Sequence, residues 1–385
     1  MKVEGRRFRE SGRAGSPDRH VDSGRIGGAR EGGPGRVYRP FDANFVLPER
    51  LNATAPPEAR GLSRDDVRLL VADGGLTHTR FHRLPEHLAP GDVLVVNNSA
   101  MVTAAVEGEV AGAPVVVHFS TWLDDGTWVI ELRTKDRLPL ADRSFEPGDA
   151  VDLPGDARMT LRAPWLPGGR RLWIAEVSTD VRALLWQYGN PITYAYVPER
   201  WLPTYYSTVF GRERGSAEMP SAARPFTHEL VLDLVASGVW LAPITLHTGV
   251  SSPEAGEPPS PERFDVPAAT AHLVNDARAA GGRIVAVGTT VTRALESATA
   301  PDGFVHAASG WTDLVLGPAR PARVVDGLIT GWHAPGASHL DLLVAVAGED
   351  TVRRAYAEAL DAGYLWHEFG DSALLFAPDR TLRSR

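Results

Sequence analysis

At 385 residues, 43% of them hydrophobic and 23% charged, the chain is long enough for two or three domains of roughly 150 residues that fold without disulfides or a structural metal, which excludes a wholly disordered scaffold. Lys and Arg number 40 against 48 Asp and Glu, a net charge of −8, which speaks against a global electrostatic grip on nucleic acid but leaves room for a local basic groove. The absence of cysteine excludes disulfides, thiolate nucleophiles, iron–sulfur ligation and sulfur-bound zinc, and with no run of about 18 apolar residues and no apolar N-terminal segment, neither a membrane span nor a signal peptide is predicted, hence a cytoplasmic protein.

Residues 1–36 are rich in Gly and Arg and poor in aliphatics, which predicts a disordered tail. Its arginines alternate with Glu4, Glu10, Asp18, Asp22 and Glu31 instead of forming a basic arm. Folded sequence begins near Phe41. Asp65 to Asp73 reads as a strand turning at Gly74-Gly75 into a hairpin partner, His78 to His82. Leu84 to Leu88 reads as one helical turn, and Val93 to Val96 as a buried strand that empties into Asn97-Asn98-Ser99.

Between residues 100 and 180 the pattern changes to short alternating runs, Val106–Val110, Val115–Phe119, Trp128–Leu132, Met159–Arg162 and Arg171–Val177, separated by Gly/Asp turns. That spacing predicts an antiparallel, barrel-like β-domain. From Val181 strands alternate with helices again. Leu230–Ala236 is read as a helix and Val239–Leu246 as a strand. Val266–Ala280 is read as a helix with Asp265 as N-cap, Pro267 in its first turn and Gly281-Gly282 as its stop. Ile284–Val287 follows as a strand, Val291–Ser297 as a helix, Val324–Thr330 as a strand, Leu340–Ala362 as one or two helices, and Phe369–Phe376 as a final strand. The fold class is α/β: an α/β main domain (residues 37–99 and 181–385) with an inserted antiparallel β-barrel-like domain (residues 100–180).

Three of these strands run into polar sequence at their C-terminal ends: Trp240–Leu246 into His247-Thr248-Gly249, Ile284–Val287 into Gly288-Thr289-Thr290, and Val325–Thr330 into Gly331-Trp332-His333. Ligands of α/β sheets collect beyond such ends, so these loops are the first candidates for a site. Thr289-Thr290 open a helix, where free N–H groups and hydroxyls suit a carboxylate or phosphate. Arg293 and Glu296, at i and i+3, either pair with one another or touch a substrate. No Gly-x-Gly-x-x-Gly after a strand, Walker loop, His-Glu-x-x-His or Gly-x-Ser-x-Gly is present, so dinucleotide, nucleotide-hydrolysis, metalloprotease and serine-hydrolase readings lack their usual support.

Seven short motifs in order carry a resemblance: Phe45-Val-Leu-Pro-Glu-Arg-Leu51, Pro90-Gly-Asp-Val-Leu-Val-Val-Asn-Asn98, Tyr206-Ser-Thr-Val-Phe210, Thr245-Leu-His-Thr-Gly249, Val287-Gly-Thr-Thr-Val-Thr-Arg-Ala-Leu-Glu-Ser297, Val324-Val-Asp-Gly-Leu-Ile-Thr-Gly-Trp-His333 and Phe369-Gly-Asp371. From about Phe41 to Phe376 the chain resembles the S-adenosylmethionine:tRNA ribosyltransferase-isomerases of queuosine biosynthesis. The resemblance implies an α/β domain with an inserted β-barrel and S-adenosylmethionine as a ribosyl-donating cosubstrate without a metal. It also implies transfer to a 7-aminomethyl-7-deazaguanine base in tRNA, with rearrangement to an epoxycyclopentane as adenine and methionine leave.

Such chemistry needs a base near the sulfonium-acidified C5′–H, donors near the departing adenine, and an anion clamp for the methionine carboxylate. Carried onto this chain, the candidates are His247 or Glu262 as base, His333 as acid or orienting group, and Thr289, Thr290 and Arg293 as the clamp, with Glu296 and Asp371 as further cosubstrate-binding residues. The cosubstrate is expected in the cleft between the two domains. The chain departs from the family's usual pattern at Ala100 and Ala105, where the family carries arginines, at Met219–Phe226, which loses a histidine and gains Arg224, and in 251–261 and 331–339. Three readings follow: ribosyl transfer to tRNA, S-adenosylmethionine chemistry with another acceptor or none, and an inactive nucleoside- or protein-binding paralogue. The oligomeric state is not legible.

Overall fold

The computed structural model describes residues 41, 43–138, 140, 144–166, 169–250 and 259–377. The tail expected over residues 1–36 lies outside them. In chain order the strands and helices are β1 (Arg68–Asp73), β2 (Gly75–Arg80), β3 (Val93–Asn97), β4 (Ser99–Met101), β5 (Ala105–Val110), β6 (Ala113–Trp122), β7 (Trp128–Arg133), β8 (Ala150–Leu153), β9 (Ala157–Pro164), β10 (Leu172–Val177) and α1 (Val181–Tyr188). They continue with β11 (Glu213–Ser216), α2 (His228–Ala236), β12 (Trp240–His247), β13 (Glu262–Val266), α3 (Ala268–Ala279), β14 (Ile284–Val287), α4 (Thr289–Ser297), β15 (Ala308–Thr312), β16 (Gly327–Gly331), α5 (His339–Ala347), α6 (Glu349–Asp361) and β17 (Ser372–Phe376).

Among the described residues, nine strands form one mixed sheet in the order β15-β13-β12-β3-β14-β16-β17-β1-β2. At its centre β12, β3, β14 and β16 are parallel neighbours. β3 and β14 are buried along their whole length, as strands covered on both faces must be. Their alternate residues divide between two cores. Val93, Val95, Ile284 and Ala286 pack with residues of α3, α4, α5 and α6, while Leu94, Val96, Val285 and Val287 face Phe81, Leu84, Phe226, Leu230 and Leu234 on the other side.

The chain leaves this sheet after β3 and, past β4, builds a closed antiparallel barrel, β10-β7-β6-β5-β8-β9, around Val106, Val117, Ile130, Leu132, Val151, Met159, Leu161 and Ala175. Closure removes the unpaired edges that short strands would otherwise expose. An α/β fold with an inserted antiparallel barrel is therefore observed. A short parallel pair, β4 with β11, lies beside β12. No helix of the described residues is long and apolar enough to cross a membrane.

Two local expectations are corrected and a third is resolved. Asp265 is not an N-cap: it lies in β13, in register with Thr245 and Ser309, because Phe264 and Val266 alternate inward, and α3 is capped by Pro267 without a side-chain bond. The strand expected from Val324 starts at Gly327, since Glu296 takes up the N–H groups of Arg323, Val324 and Val325. Residues 340–362, expected as one or two helices, form two, separated at Gly348, whose φ of 79° favours glycine.

Candidate active site

The parallel run of β3, β12, β14 and β16 brings their C-terminal ends to one edge of the sheet. Buried Asn97, at the end of β3, ties that edge together. Its Oδ1 accepts the N–H of Ser99 and of Leu246, each at 3.0 Å, and its Nδ2 donates to Leu246 O at 2.8 Å and Thr290 Oγ1 at 3.3 Å. Beyond the edge lies a cavity of ≈ 330 Å3 lined by Glu262, Thr289, Thr290, Arg293, His333 and His339 from the sheet side. Tyr194, Tyr196, Glu218, His367, Glu368 and Arg171 line it as well. Its size and mixed lining are those of a small-molecule site.

Gly288, at φ 98° and with Ala222 Cβ close by, lets β14 turn sharply into α4. Thr289 and Thr290 thereby open the helix at the cavity wall. One turn on, Arg293 is buried and heavily bonded. It is ion-paired to Glu262 and donates to the carbonyls of Leu314 (3.2 Å), Ser260 (3.0 Å) and Thr312 (3.2 Å). Its partner is thus Glu262, not Glu296. Burial raises the proton affinity of Glu262, and the Arg293 charge and the Gly249 N–H at 3.3 Å oppose it without cancelling it.

His333 and His339 lie ring on ring, 4.5 Å apart and parallel within 1°. His333 Nε2 meets Thr330 Oγ1 at 3.0 Å. Burial, with the neighbouring His339 and His367, holds His333 well below the usual imidazole range, and burial with the Arg293 charge brings His339 to about 4. Both rings are neutral near pH 7, able to accept a proton or orient a group but not to act as standing imidazolium acids.

The opposite wall comes from two segments without a legible motif. Tyr194 stacks on Tyr196 at 5.9 Å, and Tyr196 on His367 at 4.1 Å. Tyr194 donates its hydroxyl to Glu218 and Tyr196 to Glu368. His367 has φ 71°, a strained conformation for a non-glycine residue of the kind found at functional sites. Burial brings His367 to about 4 and pushes Glu368 up to about 7, so Glu368 is partly protonated near neutrality. The lone advance signal for this loop was its Phe369-Gly-Asp ending; Tyr194, Tyr196 and Glu218 had none.

The remaining candidates stand apart from the cavity. His247 is outside its wall: Nδ1 meets Ser99 Oγ at 2.8 Å, Ser99 Oγ meets Ser216 Oγ at 2.6 Å, and the ring presses on Gly215, where a Cβ would lie 2.6 Å from Nδ1. Glu296 is buried and spent on three backbone N–H groups, so it is a structural cap and not a ligand contact. Asp371 accepts from Arg68 and from Leu365 N at 2.8 Å, which anchors the loop that presents His367 and Glu368. Arg224, the gained arginine, is a buried partner of Glu58 at 2.7 Å. Among the described residues no group of three or more His, Asp or Glu is arranged to hold a metal ion.

The queuosine biosynthesis protein family matches residues 41–375 of this chain. The chain is similar to the S-adenosylmethionine:tRNA ribosyltransferase-isomerase of Moorella thermoacetica, 34% identical over 86% of this chain and 98% of that protein. It is also similar to that of Symbiobacterium thermophilum, 35% identical over 87% and 98%. A solved S-adenosylmethionine tRNA ribosyltransferase structure from Thermotoga maritima aligns with 87% of this chain and 99% of its own at 28% identity, with a TM-score of 0.48.

Proposed function

Since this chain belongs to the queuosine biosynthesis protein family and is an enzyme of the S-adenosylmethionine:tRNA ribosyltransferase-isomerase type, we propose that it moves the ribosyl unit of S-adenosylmethionine onto 7-aminomethyl-7-deazaguanine in tRNA, isomerising it to epoxyqueuosine and releasing adenine and methionine. The observation that carries this reading is that an anion-accepting helix start, a buried carboxylate–arginine pair, neutral imidazoles and a carboxyl raised to about 7 converge on one cavity. The division into an α/β domain (37–99 and 181–385) and an inserted β-domain (100–180), with the cosubstrate between them, belongs to the same proposal.

In this reading the N–H groups and hydroxyls of Thr289 and Thr290 hold the methionine carboxylate. The sulfonium makes the adjacent C5′–H acidic, and Glu262, its basicity raised by burial, removes that proton while Arg293 fixes the carboxylate's direction. His333 accepts a hydrogen bond from the ribose or the acceptor amine. Glu368, raised by burial to about 7 and so partly protonated near neutrality, donates in its protonated form to the departing adenine, and the Tyr194–Tyr196–His367 stack offers a flat face to a base. His247 and Asp371 position the loops after β12 and before β17.

The test is incubation of the purified protein with S-adenosylmethionine, with and without tRNA carrying the aminomethyl base, followed by chromatography for adenine and methionine and mass analysis of the nucleosides. Product in the tRNA-containing arm alone supports the reading. Adenine release indifferent to tRNA would favour the second reading, a different acceptor, to which Ala100 and Ala105 point by removing positive charge. No release in either arm would overturn both.

A further inference from the structure

A second cavity, of ≈ 250 Å3, shares no lining residue with the first. Its wall includes Glu107 of β5, His118 of β6, Lys135 and Arg137 beyond β7, and Arg200 and Trp201. Three permanent cations thus face one carboxylate, and that carboxylate is already occupied, since Glu107 accepts from Arg200 at 2.9 Å. The layer behind adds no spare negative charge. Glu131, in register with His118, is taken by Arg133 at 2.9 Å and Arg171 at 3.1 Å. Lys135 has no salt-bridge partner among the described residues, and Arg137 donates to the carbonyl of Val197.

The cavity also carries unmet hydrogen-bonding capacity. Trp201 Nε1 is buried without an acceptor, while His118 Nδ1 is turned to the Glu131 carboxylate at 3.5 Å. Buried polar groups are nearly always partnered, and an indole N–H can only donate. An acceptor carrying negative charge would answer both the orphaned N–H and the excess of cations. A carboxylate has two oxygens in one plane, whereas a tetrahedral oxyanion can meet donors arriving from β6, from the segment after β7 and from the 200–201 segment together.

We propose that this cavity is a phosphate-binding site on the flank of the barrel, taking either a free phosphate group or a phosphodiester of an RNA backbone. The assignment of a phosphate stands by itself, and only its attribution to RNA rests on the tRNA acceptor proposed above. The site would position the ligand without reading base identity.

The experiment uses the full chain and two probes, inorganic phosphate and an unmodified tRNA transcript. The readout is the Trp201 indole N–H resonance, assigned by its loss in Trp201→Phe, together with calorimetry at fixed ionic strength. Phosphate, but not chloride, is expected to shift the resonance, and Lys135→Gln is expected to weaken phosphate binding about tenfold through loss of one charge-assisted bond, with S-adenosylmethionine binding unchanged. If the transcript shifts the same resonance and competes with phosphate, the source is the RNA backbone. If phosphate binds and the transcript does not, the site takes a free phosphate and only the attribution to RNA fails. A resonance indifferent to both probes, or affinities equal in wild type and Lys135→Gln, would overturn the site.

Discussion

The barrel and the strand-end cavity both bury carboxylates, and they treat them in opposite ways. In the barrel, burial by itself would raise Glu131, but His118, Arg133 and Arg171 outweigh it and hold the group at about 2. At the cavity Glu262 has one arginine and stays raised, and Glu368 has a tyrosine hydroxyl and sits at about 7. A saturated carboxylate is locked in one charge state and serves the fold. An under-compensated one sits where it can change charge, which is what proton transfer requires.

The largest expected effect breaks the saturated site. Arg133→Met removes the bidentate partner of Glu131 and should cost about 3 kcal/mol in urea unfolding, because a buried charge loses one of the three groups that compensate it. A loss below about 1 kcal/mol would show that the barrel network is no more than ornamental to stability. Next comes the cavity. Glu368→Gln should fold normally yet slow adenine release by about a hundredfold, the scale of a lost general acid. In the wild type the donating form disappears as pH rises through about 7, so activity should decline on the alkaline side, and the variant should lack that decline. An unchanged alkaline limb would remove Glu368 from the mechanism.

The smallest effect concerns the stacked imidazoles. Folding depresses His339 from 6.5 to about 4, so the folded state favours the neutral ring. That contribution to stability is complete above about 6.5 and is lost as pH falls toward 4. His339→Gln should therefore flatten the acid side of a Tm-against-pH curve while leaving the value near pH 8 little changed, since nothing titrates there on this ring. A wild-type curve that rises toward acid would reverse the sign and contradict the neutral pair.

Much of this architecture follows from local periodicity. Val93–Val96 and Ile284–Val287 announce buried strands because a strand covered on both faces must be apolar throughout, and the short alternating runs from Val106 to Val177 announce the barrel because one face of each is wet. Asp265-Val-Pro267 misled because an acidic residue before proline imitates a helix start, although Phe264 and Val266 already alternate as in a strand. The edge strand Ala308–Thr312 gave no signal, since its Ala-Ser-Gly-Trp-Thr composition has no apolar face to count.

The candidate site divides along the same line. The polar ends of β12, β14 and β16 were visible because strand ends are local, and with them Thr289, Thr290 and His333. Whether a side chain there meets a ligand or its own backbone was decided by packing: Arg293 went to Glu262, 31 residues away, and Glu296 to the N–H groups ahead of β16. Tyr196 and Glu368, separated by 172 positions, became partners only when β17 and the segment after α1 were folded onto one cavity. Local sequence determined which elements form and which of their ends are polar, because those depend on neighbours within a turn or a strand. Burial and long-range partners, which set the charge state of Glu131, Glu262 and Glu368, exist only in the tertiary structure.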